Sequence, residues 1–204
     1  MRVTCFDIEA TDLGANFGRL LCCSFVDLGS DQVETFRRDR VPWKGRKITD
    51  DARLAVAIRD RLEASDIVVS WNGILYDVPF INARLVAAGE RPVRLTKDNG
   101  VQHLDLMYYA GGQAMRLQGR SLERVSKFLH ADHSKTPLTP EVWAEASAGD
   151  PESFESVVEH CEADVLVLRD VFPHLAPFVK KMTFTLAEVY PFIGGIASRK
   201  VGAK

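Results

Sequence analysis

MRVTCFDIEATDL, residues 1–13, is the stretch from which the fold is read. Val3 to Phe6 are β-branched or apolar and lead into Asp7-Ile8-Glu9, two carboxylates separated by one residue. On a strand, side chains alternate between faces, so Asp7 and Glu9 share one side while Phe6 and Ile8 share the other. Like charges ~7 Å apart on one strand face repel, and nothing about strand stability favours them. A divalent cation between them turns the repulsion into binding, and hard oxygen donors suit Mg2+ or Mn2+. The competing reading is a strand edge with two solvated acids. Which one holds depends on whether the chain brings further acids to the same place.

The 204 residues suit one large domain with a substantial core. A hydrophobic content of 46% beside 26% charged residues is an ordinary globular balance. No apolar run approaches the ~20 residues of a membrane span, and Asp7 and Glu9 break any signal-peptide pattern at the N-terminus. The formal net charge of -2 leaves no global electrostatic footprint for duplex nucleic acid, although a bound cation and a local basic patch would still serve a polyanion. The four cysteines (Cys5, Cys22, Cys23, Cys161) form no C-x-x-C pair and read as buried apolar residues in a reducing, cytoplasmic setting.

Beyond the first strand, Leu20 to Val26 is a buried apolar run and Gln32 to Phe36 alternates like a half-buried strand. Gly29-Ser30-Asp31 between them is hairpin chemistry, so the first three strands form an antiparallel meander. Residues 37–47 bring together Arg37, Arg38, Arg40, Lys44, Arg46 and Lys47 around Trp43, either a grip for a phosphate backbone or a solvated loop. Asp50 to Ala64 has helical spacing, with Asp50 or Asp51 as the cap. Ile67 to Ser70 is a short buried strand, followed by a turn and a helix that carries Asp77 near its start. This is a crossover unit of a parallel sheet, and it places Asp77 beyond the strands' carboxyl ends, where ligands gather in such sheets.

Val101 to Asp105 reads as a further strand whose final acid caps the helix after it, a role favoured over metal ligation. Ser121 opens the next helix, and Glu141 to Ala148 forms another. His130 and His133 are too few for a zinc site, and Lys135 reads as solvated. The last long helix begins at Pro151 and runs towards Phe172, where Pro173 is expected to interrupt it. His160 and Asp164, four apart, share one face of that helix. Residues 181–204 read as a Gly-rich, basic tail.

These pieces resemble the DEDD superfamily of 3′→5′ exonucleases, which includes proofreading domains of DNA polymerases. Phe6-Asp7-Ile8-Glu9-Ala10-Thr11 is similar to the first exonuclease motif. Residues 71–81 (WNGILYDVPFI), with Asn72 and the Tyr76-Asp77 pair, are similar to the second, and residues 160–172 (HCEADVLVLRDVF) to the third. The resemblance implies an α/β fold of the ribonuclease H-like type over residues 1–180. Its mixed central sheet, a three-strand antiparallel meander plus parallel strands, is flanked by helices. It also implies hydrolysis from the 3′ end of single-stranded nucleic acid, DNA favoured, with two divalent cations, Mg2+ or Mn2+, held by Asp7, Glu9, Asp77 and Asp164. By the same resemblance Thr11, Leu13, Asn72 and Tyr76 contact substrate, and a replication or repair complex is a candidate partner. An enzyme on short RNA and a catalytically silent binding module are the alternatives. In the family, three residues usually separate the tyrosine from the last aspartate, and four usually separate the histidine from it. This chain sets His160 at the tyrosine spacing; histidine suits orienting a water or accepting its proton at neutral pH.

Overall fold

The structure, a computed structural model, describes residues 1–40, 50–95, 101–112, 115–134 and 136–179. Trp43, Lys44, Arg46, Lys47, Lys135 and the tail at 181–204 lie outside the described residues. Five strands, β1 (Val3–Ala10), β2 (Leu20–Asp27), β3 (Val33–Arg37), β4 (Ile67–Ser70) and β5 (Gln102–Asp105), make one sheet in the order β3-β2-β1-β4-β5. β1, β2 and β3 form the expected antiparallel meander, while β4 and β5 join β1 in parallel. The helices are α1 (Ala52–Glu63), α2 (Asp77–Ala87), α3 (Leu106–Gly111), α4 (Leu122–Leu129), α5 (Pro140–Ala148) and α6 (Pro151–Leu175).

β1 lies at the centre, and its two faces feed two cores. Val3 and Cys5 pack with Val165, Leu168 and Phe172 of α6. Phe6 and Ile8 pack with Leu54 and Ile58 of α1 and with Phe80 and Ile81 of α2. The period of two along β1 therefore sends Asp7 and Glu9, odd-numbered like Val3 and Cys5, towards α6.

Three local expectations need correction. Asp51 stands at the N-cap position of α1 without a side-chain cap bond. Its carboxylate instead accepts from the Leu20 amide at 2.8 Å and from Arg84 of α2 at 2.8 Å, and Asp50 takes the Ala52 amide at 3.0 Å. Second, α6 does not stop before Pro173 but continues to Leu175. The missing N–H forfeits one bond in the final turn, and the buried Val171, Phe172 and Leu175 hold that turn against the core. Third, Arg37 and Arg38 are internal residues. Arg37 ends β3 and pairs with Asp39 at 3.0 Å and Glu155 at 2.7 Å, so it is not offered to a phosphate backbone.

The four cysteines are free and buried. His130 ends α4 in the left-handed conformation at φ 55°, and His133 Nδ1 lies 2.7 Å from Asp170. Among the described residues no helix is long and apolar enough to cross a membrane.

Candidate active site

The end of β1 carries the first two acids. β4 pairs with β1 only from Val3 to Cys5, so beyond Cys5 that edge of β1 has no strand beside it. The Ile8 amide, midway between Asp7 and Glu9, donates instead to Asp77 Oδ1 at 3.2 Å. A strand that ends early thus leaves a backbone donor that draws the first residue of α2 against β1. Asp77 is 3% exposed. Burial pushes its carboxyl pKa up to about 7; the Ile8 amide pulls it down and Asp105 pushes it up further.

From the other side, α6 lays His160 and Asp164 on β1. His160 Nε2 is 3.7 Å from Glu9 Oε1 and 3.9 Å from Asp164 Oδ2. His160 Nδ1 is bonded to the Thr136 carbonyl, and the Trp143 ring meets the imidazole edge-on at 6.3 Å between centroids. Because a carbonyl only accepts, Nδ1 carries a proton and Nε2 is the ring nitrogen that faces the acids.

Donor atoms of Asp7, Glu9 and Cys161 lie within 4.8 Å of one another, as do those of Glu9, His160 and Asp164. Burial pushes the Cys161 thiol well above its ordinary range, so it stays protonated and donates to the Asp7 carbonyl at 3.4 Å. What remains is a set of carboxylate oxygens with one imidazole nitrogen, a donor set that fits a hard or borderline divalent cation. The acids that the sequence predicts as a group, Asp7, Glu9, Asp77 and Asp164, therefore meet around one end of β1.

The residues expected to touch substrate lie around them. Tyr76 precedes α2, and its phenol pKa is raised to about 12, by burial first and then by Asp77, Glu9 and Asp7 nearby. Asn72 adopts φ 65°, a left-handed conformation asparagine tolerates better than most residues. Its carbonyl accepts from the Leu75 and Tyr76 amides, so its backbone forms the turn that delivers Asp77. Thr11 Oγ1 accepts from the Arg19 amide at 3.0 Å, which closes the loop between β1 and β2, and Leu13 on that loop is 84% exposed.

Sequence reasoning missed several supporting groups. Asp105 caps α3 through the Met107 amide at 3.1 Å as expected, but also takes the Asn72 amide at 2.9 Å and the Ile74 amide at 3.2 Å. One carboxylate thus braces the whole turn before Asp77. Phe17, Ile74 and Leu75 are exposed apolar residues on the two loops that leave the carboxyl ends of β1 and β4. Their position after parallel neighbouring strands was the available signal. The Thr136 carbonyl carries no signal in sequence, being backbone in a loop.

A family model for the RNase_H superfamily matches residues 4–176. The chain belongs to the RNase_H superfamily. The mixed sheet with a central first strand is the fold of that superfamily, as the resemblance implied. Among solved structures, the chain is similar to the family B DNA polymerase from the hyperthermophilic archaeon Pyrobaculum calidifontis, with a TM-score of 0.66 and 18% identity. The alignment covers 87% of this chain and 25% of the polymerase, so this RNase H domain spans a quarter of that protein's length. No curated protein matches the chain.

Proposed function

We propose that the chain is a metal-dependent 3′→5′ exonuclease acting on single-stranded nucleic acid, DNA in preference to RNA. The observation that carries this reading is that donor atoms of Glu9 lie within 4.8 Å of Asp7 on one side and of His160 and Asp164 on the other, with Asp77 on the Ile8 amide, at one end of β1. Asp7, Glu9 and Asp164, with Asp77 beside them, would hold the two divalent ions. Ions held there would supply the acidification of a water and the charge stabilisation that an in-line phosphoryl displacement needs.

In the net reaction a water oxygen bonds to the terminal phosphorus and the bond from phosphorus to the 3′ oxygen breaks. One water proton ends on that oxygen, giving a mononucleotide and a strand one residue shorter. The Nε2 lone pair of His160 has two uses here: to orient the water and take its proton, or to ligate the ion itself. Asn72 and Tyr76, on the turn into α2, would contact the substrate strand. Leu13, Phe17, Ile74 and Leu75 present exposed apolar faces, which suits unpaired bases whose π-faces seek such surfaces.

The test is a panel of end-labelled single-stranded DNA, single-stranded RNA and dinucleotides, run with Mg2+, with Mn2+ and with chelator. Stepwise release of mononucleotides from the 3′ end, abolished by chelator and by Asp7→Ala or Asp164→Ala, is expected. A folded Asp7→Ala variant with full activity would sink the assignment. Faster turnover of dinucleotides than of longer strands would instead favour an enzyme on short RNA, and binding without cleavage a silent module.

A further inference from the structure

We propose that His160 is itself a ligand of the first ion, through Nε2, and that this nitrogen makes the site select Mn2+ over Mg2+. The inference rests on the reading of Asp7, Glu9 and Asp164 as ion ligands.

Its basis is the four-residue spacing of His160 and Asp164 on α6. In a helix, residues four apart are rotated by only ~40° about the axis, whereas residues five apart are ~140° apart. The four-residue step from His160 to Asp164 therefore aims both side chains at the same point. Two donors that share an ion through bonds of ~2.1 Å lie no more than ~4.2 Å apart. The His160 Nε2 distances, 3.7 Å to Glu9 Oε1 and 3.9 Å to Asp164 Oδ2, both fall inside that limit without any movement.

The ring is also prepared for ligation. The Thr136 carbonyl holds the proton on Nδ1, and Trp143 packs edge-on against the ring. Metal-binding histidines are oriented in this way, with the second nitrogen donating to a carbonyl or carboxylate. His160 is also sequestered, its side chain 15% exposed, so Nε2 is held towards the acids rather than turned to the surface.

The choice of metal follows from donor chemistry. Mg2+ prefers oxygen ligands and water, whereas an imidazole adds affinity for transition ions; among those, Mn2+ suits a mainly carboxylate set. An imidazole nitrogen set among these carboxylates thus decides which ion the site holds best.

Mn2+ and Mg2+ affinities of the full chain would be measured by EPR and calorimetry, and nitrogen hyperfine coupling to bound Mn2+ by pulsed EPR. His160→Gln and His160→Ala would be compared with Asp164→Asn, after a thermal melt has shown each to be folded. Nitrogen coupling is expected in the wild type and absent from both His160 variants. Their Mn2+ affinity should fall by ~10- to 100-fold, in the range seen when a metal site loses a supporting group, while Mg2+ affinity changes much less. Bound Mn2+ without nitrogen coupling, or an unchanged Mn2+:Mg2+ ratio in His160→Gln, overturns the inference and leaves the reading of the acids standing. A wild type that binds neither ion, or whose binding survives Asp164→Asn, overturns both.

Discussion

Asp77 is buried against the Ile8 amide, and burial raises its carboxyl pKa from 3.8 to about 7. Between those values the unfolded chain has released a proton that the folded chain keeps, so this residue makes stability fall as pH rises from ~4 to ~7. His103 works in the opposite sense. Burial lowers its pKa from 6.5 to about 4, so between ~4 and ~6.5 the unfolded imidazole takes a proton that the folded one refuses, and stability rises with pH. In metal-free wild type the two slopes oppose each other across that window. Asp77→Asn removes one of them. The variant is expected to melt higher than metal-free wild type at pH 8, to show stability rising from pH 4 to 6.5, and to lose nuclease activity. Thermal melts in chelator across that range, beside a cleavage assay, check all three. A variant no more stable than wild type at pH 8 would show that burying this acid carries no cost in the native state.

At the scale of elements, the turn from β4 into α2 sets where Asp77 sits. A Cβ on Gly73 would lie 2.4 Å from Ser70 Oγ and 3.3 Å from Asp77 Oδ2, and Ser70 Oγ is itself 2.8 Å from His103 Nε2. Gly73→Ala must therefore displace the turn. A shift of ~1 Å in a positioning loop costs ~100-fold in rate, so activity should fall by about that much while the circular dichroism spectrum persists. Unchanged kinetics would mean the turn yields without moving Asp77. A second test concerns Asp51, 1% exposed, and Arg84, which tie the start of α1 to α2 at 2.8 Å. Truncating one partner of a buried pair costs ~3–5 kcal/mol, and a domain of this size melts ~2–4 °C lower per kcal/mol. Arg84→Ala should thus melt at least ~6 °C lower, and a change within ~1 °C would reduce the bridge to a surface contact.

For the whole molecule, repulsion among the acids at the end of β1 is tolerated because α1, α2 and α6 bury the rest of that strand in two cores. An ion bound there would relieve the repulsion only in the folded state. At ~100 times the dissociation constant this would add ~2.7 kcal/mol, which at ~2–4 °C per kcal/mol raises the melting temperature by ~5–11 °C. Differential scanning calorimetry with Mn2+ against chelator should show that rise in wild type and a much smaller one in Asp7→Asn. Equal shifts in the two would locate the stabilising ion elsewhere.

Local periodicity was enough to read the meander, the odd-numbered face that carries Asp7 and Glu9, the crossover leading to Asp77, and the shared face of His160 and Asp164. Those features follow from strand and helix repeats written into the covalent chain. The tertiary structure alone decided that β4 ends early enough for Asp77 to reach the Ile8 amide, and that the Thr136 carbonyl sets the tautomer of His160. It also turned Asp51 from cap to ion-pair partner and carried α6 through Pro173, because each outcome depends on which distant group packing brings within reach.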